Sequence, residues 1–584
     1  MVFLLQANLK PFFTRKLALG PVVACVLCLG LFAYICSLFY LPGKGFTYLI
    51  EFGEREHARY LPQLQAVNHY ELKDSGGYDA QYYAQIAMQP HLTDPALQGA
   101  LDSVPYRARR ILLAWTAYAL ARGDPLWALH IFSVQNIFCW FVLAVLLWRW
   151  VPPVGWGNFF RWACLMFCFG LGCSVRGSLT DGPSLLLIAC AAALVEAERL
   201  WLAALVLGIS ALARETNLLA GLMLFPVVPG WSATSGRAEQ TLDSDAAGGP
   251  SQRAGRSRST WPQVFGLGAV AVAPLIIWLA ILHFWLRPPA GASVIPLDLG
   301  ARNWALPFFG YAGRWRETFT DLGVHGFDLV GRGELLVLVA LTAQWLYLVL
   351  RPRWSEVWWR IAAPYAVLAV FLGQAVWEGY PGATARVILP LTAAFCLLVP
   401  LRRWWILWFI AGNVSLIVSF DNLNPPGRES SVVTGPRSLR IVAATGAVVE
   451  THFDDHWFEP EKSWLEYWRW SNGDAGLTFF NPHPYALQAD ISFGLRANDD
   501  RIVGVTMPGR TLWLGRLEKG KLREVTIPNF PLPPGDTHWQ FETTTPPVPP
   551  GPLDKRPLAF SLRNLRVGLR TLQSTPAAAG TNSR

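Results

Sequence analysis

The sequence predicts a polytopic α-helical membrane protein of about eleven spans with a C-terminal β-sandwich domain, on three observations. Charged residues make up 15% of the chain and hydrophobic ones 52%, whereas ordinary globular proteins carry about 25% charge. Apolar runs fill residues 17–420 almost continuously, while 421–584 has the texture of a water-facing domain. A chain with so few charges cannot solvate a soluble surface of this size, which excludes a cytosolic enzyme and a disordered protein.

The first apolar run, 17–41, follows Lys10, Arg15 and Lys16. It is longer than the roughly 7–15-residue core of a signal peptide and lacks a small-residue cleavage site, so it predicts a first transmembrane helix. Further spans are expected near 127–148, 158–175, 183–198, 200–213, 217–229, 263–286, 334–350, 361–376, 386–400 and 404–420. The pair 200–213 and 217–229 also reads as one helical hairpin or a broken helix. Residues 42–126 form a large first outer loop. Residues 231–260, rich in Ser, Gly, Ala and Arg without periodicity, read as a disordered cytoplasmic linker.

With the N-terminus inside, Arg149, Arg161, Arg199, Arg351, Arg353, Arg402 and Arg403 all fall on the cytoplasmic side, as the positive-inside rule requires. The net charge of +9 is spread between apolar runs, whereas nucleic-acid binders gather Lys and Arg on one face. Nucleic acid is therefore not an expected partner. All nine Cys lie in or beside apolar segments, so the tail has no disulfide framework, and Cys25 with Cys28 reads as packing.

From residue 431 to about 570, short apolar or alternating segments such as 438–445, 475–481, 489–497, 501–507, 510–517 and 558–567 are separated by turn formers. That pattern predicts an extracytoplasmic β-sandwich, followed by a disordered tail at 571–584.

This topology sorts unusual ionisable residues onto the outer side. Asp79, Arg107, Arg109, Arg110, Arg176, Asp181, Arg214, Glu215, Glu378 and Arg386 would ring one cavity. Charged groups near membrane depth are costly and count as site candidates by default. One carboxylate among several arginines suits a lipid-linked phosphate and a hydroxyl nucleophile, because Arg binds phosphate with paired N–H donors and Asp can accept a proton. Each residue has a plainer reading. Asp79, after Gly76 and Gly77, suits an N-cap of a helix over 80–89, and Asp181 before Gly182-Pro183 suits a helix start. Arg214 and Glu215 could pair with each other. Arg107, Arg109 and Arg110 could be a solvated or lipid-facing patch, and Arg386 could snorkel.

Several segments resemble the GT-C superfamily of multispan membrane glycosyltransferases, most closely bacterial cell-surface glycopolymer formation proteins. Tyr78, Asp79, Gln81, Tyr82 and Tyr83 stand where that family has a YDGQ-aromatic-Tyr motif in the first outer loop. Tyr106, Arg107 and Arg110 match its Arg-rich stretch, Asp181 and Gly182 its later Asp-Gly-Pro, and Arg214 and Glu215 its A-R-E-T corner. Ala80 replaces the expected Gly, and Asp79 lacks the neighbouring acid the family often supplies, with Asp74 the nearest.

The resemblance, covering about residues 15–420, implies transfer of a sugar from a polyprenyl-phosphate donor to a glycan, lipid or protein acceptor on the outer face, with inversion. It implies Asp79 as general base; Arg214 and Arg386 are the residues expected on the donor phosphate, with Arg107 and Arg110 behind them. Tyr82 and Tyr83 would stack on sugar, and Asp181, Glu215 and Glu378 would complete the substrate-binding set. No metal or nucleotide cofactor is expected, and neither a P-loop nor a dinucleotide fingerprint is present. The implied location is a bacterial inner membrane, with the N-terminus cytoplasmic and the tail periplasmic or extracellular. Alternative readings are a non-enzymatic glycopolymer export or assembly component and a secondary transporter.

Overall fold

The computed structural model describes residues 17–41, 43–72, 75–225, 261–286, 303–325, 329–377, 382–425, 430–435, 438–442, 447–462, 467–550 and 556–571. The expected linker at 231–260, nearly all of the tail at 571–584, and both Asp74 and Glu378 lie outside these residues.

The expectation of about eleven spans is corrected. Among the described residues, four helices are long and apolar enough to cross a membrane: Leu19–Ser37, Pro125–Arg149, Pro262–Phe284 and Gly333–Leu350. A fifth crossing exists if Trp156–Met166 and Phe169–Arg176, bent by 45° at their break, count as one. The other apolar runs fold as shorter pieces. Leu200–Ala211 and Leu389–Leu398 have 12 and 10 residues, about 15–18 Å at 1.5 Å per residue, against a hydrocarbon core of about 30 Å. Glu215–Leu224 is a 3-10 helix, not a span.

Asp181–Glu196 is short as well, with 16 residues. It is buried along almost its whole length, packed between Pro125–Leu146 and Leu200–Ala211. Its apolar residues meet protein, and a hydropathy window cannot tell that from lipid. Phe309–His325, with charged residues throughout, is a helix the sequence reading did not anticipate.

The segment 42–126 folds as a small layer of its own. It contains a parallel strand pair, Phe52–Gly53 with Glu71–Leu72, and helices Ala80–Met88, Val104–Ala108 and Leu112–Leu120. Tyr60, Tyr83, Met88, Leu101 and Ile111 form its core, closed by Leu129 and Phe132 of the next helix and by Trp278 and Leu282. The start of Pro125–Leu146 is specified locally. Asp124 accepts from the Trp127 N–H at 2.9 Å, with Pro at the first helical position.

Beyond residue 430 the chain forms two antiparallel sheets. One runs in spatial order Arg510–Leu517, Arg501–Met507, Gly535–Thr543, Ala475–Asn481, Val448–Phe453, Ser438–Val442, Ser430–Gly435. The other runs Arg523–Leu532, Leu487–Ala497, Phe560–Thr571, Tyr467–Trp470, Glu461–Lys462. Both contribute to one core, in which Trp539 meets Phe479 of its own sheet and Phe493 and Phe530 of the opposite one. This is the sheet-on-sheet packing expected of a sandwich.

Candidate functional site

The loop that carries Asp79 is held by close backbone contact. Gly77 has φ +72, and a Cβ there would lie 2.6 Å from the Gly53 nitrogen. Gly53 in turn approaches the 76–77 backbone so closely that no larger residue fits. Gln81 secures the same corner. Its carbonyl accepts from the Gly53 N–H at 3.2 Å and the Tyr60 hydroxyl at 2.9 Å, while its amide donates to the Gly76 carbonyl at 2.7 Å. Helix Ala80–Met88 follows, with Asp79 at its N-cap position.

Asp79 does not use that position to cap. Its carboxylate makes no bond to the helix N–H groups and instead accepts from Arg107 at 2.9 Å. Arg107 is buried, takes Asp102 with two further N–H groups at 2.9 and 2.6 Å, and stacks over the Tyr82 ring at 4.6 Å. One turn on, Arg110 donates to Glu215 at 3.0 Å and to the Tyr83 hydroxyl at 3.1 Å.

A second cluster forms where three later segments meet. The Asp181 side chain, 1% exposed, takes ion pairs from both Arg214 and Arg386, the latter at 3.1 Å. Arg386 also donates to the Tyr78 hydroxyl at 2.8 Å. The turn leading into Asp181 is pinned by Asn136, whose amide donates to the Ser174 and Leu179 carbonyls, and by Ser174 Oγ, which accepts from the Gly182 N–H at 2.8 Å. Arg386 is set by the tight seating of Gly170 on Ala385, where a Cβ would meet the carbonyl oxygen at 2.4 Å.

The clusters close into one ring because two consecutive pairs, Tyr78-Asp79 and Arg214-Glu215, place one member in each. Arg214 and Glu215 therefore do not pair with each other. Arg386 does not snorkel, since its side chain is 7% exposed. Arg107 and Arg110 are not a solvated face. Arg176 lies on Glu51 at 3.0 Å and over Tyr48 at 4.3 Å. Asp102, Glu51 and Tyr78 were absent from the predicted site set; the signal for Asp102 was its place five residues before Arg107 at a helix start.

Electrostatics separates the acids. Burial pushes the Asp79 carboxyl up, but Arg107, Arg386 and Arg110 more than offset this, leaving its pKa below the ordinary value. Glu215 behaves alike, its burial outweighed chiefly by Arg110. Asp79 keeps a side-chain exposure of 34%, so solvent or a ligand reaches it, whereas Asp181 is sealed beneath its two arginines. No protein-family model, curated protein or solved structure matches the chain.

Proposed function

We propose that this chain is an integral membrane glycosyltransferase moving a sugar from a polyprenyl-phosphate donor to an acceptor hydroxyl at the outer face of a bacterial inner membrane. The observation that carries the reading is Asp79: an accessible carboxylate, unused as a cap, kept ionised by neighbouring guanidinium groups. In the proposed step Asp79 takes the proton of the acceptor hydroxyl as that oxygen bonds to the anomeric carbon. The bond from that carbon to the phosphate oxygen breaks, and the phosphate leaves with the electron pair. A single displacement inverts the configuration.

Arg214 is the best-supported phosphate ligand. Its Nε is buried with no hydrogen-bond partner, as is the Thr216 hydroxyl two residues on. A buried unpaired donor costs free energy that an anionic ligand would return. Of the two tyrosines expected to stack on a sugar, Tyr83 is buried in the core at 2% exposure and Tyr82 lies under Arg107, so neither ring face is open. In this reading the lipid chain lies against an apolar surface. Phe225, Val264, Phe265, Val272, Ile276 and Ile277 line an apolar groove of about 540 Å³. It begins where the 3-10 helix Glu215–Leu224 ends, about 20 Å from Arg214 at 2.0 Å per residue.

The purified full-length chain should consume radiolabelled polyprenyl-phosphate sugar when an acceptor is supplied; no consumption across hexosyl and pentosyl donors would end the proposal. Arg214→Lys keeps the charge opposite Asp181 but removes the Nε donor. Donor affinity should fall about tenfold or more, since a charge-assisted hydrogen bond contributes about 1.5–3 kcal/mol. An unchanged donor titration would move the phosphate elsewhere.

In the same reading the β-sandwich lies outside the cytoplasm, which requires an odd number of crossings, as the count of five with the bent pair Trp156–Met166 and Phe169–Arg176 supplies. A reporter active only in the cytoplasm, fused after Arg584, should stay silent; strong signal would reverse the orientation.

A further inference from the structure

The first outer segment contains a second group of polar side chains, separate from the ring around Asp79. His57, on the 3-10 helix Glu54–Arg59, and His69 converge on one oxygen of Glu71. His57 Nδ1 stands 2.6 Å and His69 Nε2 2.9 Å from Glu71 Oε1, and the three ligand-type atoms lie within 4.8 Å of one another. The strand register brings them together, since Phe52 pairs with Glu71 immediately before the 3-10 helix begins.

The orientation of His69 decides what the group can do. Its Nδ1 lies 2.7 Å from the Val67 carbonyl. A carbonyl oxygen only accepts, so this nitrogen carries the N–H. In the neutral ring Nε2 is then a bare lone pair, and it faces a carboxylate oxygen that also carries lone pairs. Two acceptors at 2.9 Å repel unless a positive centre lies between them. An outer hydrogen bond from Nδ1 to a backbone carbonyl is also how metal-binding histidines are commonly held. The His69 side chain is 4% exposed and fixed between the Phe52 and Tyr60 rings, while His57 is 49% exposed and free to adjust.

We propose that His57 Nδ1, His69 Nε2 and Glu71 Oε1 bind a divalent first-row transition metal, with Zn²⁺ the expected ion. Two imidazoles and a carboxylate suit Zn²⁺, which takes nitrogen at about 2.0–2.1 Å and oxygen at about 2.0–2.2 Å. A tetrahedral set with those bonds places its ligand atoms about 3.3 Å apart, so His57 and Glu71 must open by less than 1 Å, which the exposed His57 side chain permits. The fourth position faces solvent beside His57 and takes water. The ion would tie helix Glu54–Arg59 to strand Glu71–Leu72. These elements flank the Gly53 and Gly76-Gly77 contact that sets Asp79. The site does not depend on which reaction the chain catalyses, and it departs from the sequence expectation of no metal.

The test uses the full-length chain in detergent, purified without a polyhistidine tag. After equilibration with Zn²⁺ and removal of free ion, the wild type should retain a single equivalent, and Co²⁺ in its place should give the visible absorption of a low-coordinate histidine site. His57→Ala and Glu71→Gln should each abolish that absorption. Loss of a direct ligand weakens binding beyond the roughly 10–100-fold typical of losing an orienting partner. His57 is exposed, so its variant should keep the wild-type thermal midpoint without metal, and Zn²⁺ should raise that midpoint only in the wild type. Absence of retained metal in the wild type, or equal retention in both variants, would overturn the proposal and leave a plain imidazolium–carboxylate pair.

Discussion

Asp79→Asn should lower sugar transfer by about 100- to 10,000-fold, the range a positioned acid or base contributes, while donor binding and folding persist. The structure separates the two roles unusually well. The carboxylate makes no bond to the N–H groups of helix Ala80–Met88, so the helix loses no cap when an amide replaces it. Arg107 is not orphaned either, because Asp102 still accepts from it through two N–H groups. What disappears is the negative charge that, in the proposed reaction, takes the proton of the acceptor hydroxyl. The thermal midpoint should stay close to the wild-type value, and a donor titration should be nearly superimposable. Transfer within a few-fold of wild type would remove Asp79 from the chemistry.

Asp181→Ala should have the opposite profile, with a loss of about 3–5 kcal/mol in stability, the usual consequence of stranding buried charge. Asp181 is sealed, and Arg214 and Arg386 both rely on it. Alanine would leave two guanidinium groups facing each other with no anion between them. Thermal denaturation in detergent measures the effect. A triple variant, Asp181→Leu with Arg214→Met and Arg386→Met, provides the control. Replacing a buried ionic cluster by apolar side chains of similar size commonly restores stability, yet it should not restore activity. A midpoint for Asp181→Ala indistinguishable from wild type would show that water already reaches the pair.

Much of the ring was legible because ionisable residues at the ends of apolar runs are conspicuous. Arg107, Arg110, Asp181, Arg214 and Arg386 stand out that way, Asp79 by its place after Gly76-Gly77 and before a helical stretch, and the structure brings them together. The pairing was not legible. Arg214 and Glu215 look like natural partners, but Arg214 is extended, with φ −159 and ψ 125. Neighbouring side chains on extended backbone point to opposite sides, so one reaches Asp181 and the other Arg110. Asp102 is marked only by its spacing to Arg107 at a helix start, and the His57, His69, Glu71 group sits in a polar stretch where no pattern marks it. Their meaning comes from strand pairing and helix docking across residues 43–72 and 75–126.

In the β domain the segments named at 438–445, 475–481, 489–497, 501–507, 510–517 and 558–567 each overlap a strand, whereas the alternating Val448–Phe453 was not named. Arg523–Leu532 and Gly535–Thr543 were passed over because Pro528 and Pro531 interrupt the first and polar outward residues dilute the second. The span count failed for a different reason. Apolar runs that look continuous break into helices too short to cross, such as Leu200–Ala211 and Leu389–Leu398.

The ring has a kinetic corollary. Arg107, Arg110, Arg214 and Arg386 are matched by Asp79, Asp102, Asp181 and Glu215, so these eight groups carry no net charge. Beyond a screening length of about 8 Å at physiological ionic strength, their fields largely cancel. Such a site exerts little long-range pull on an anion. A phosphate would have to arrive by diffusion and be recognised only on contact, with an encounter rate nearly indifferent to added salt.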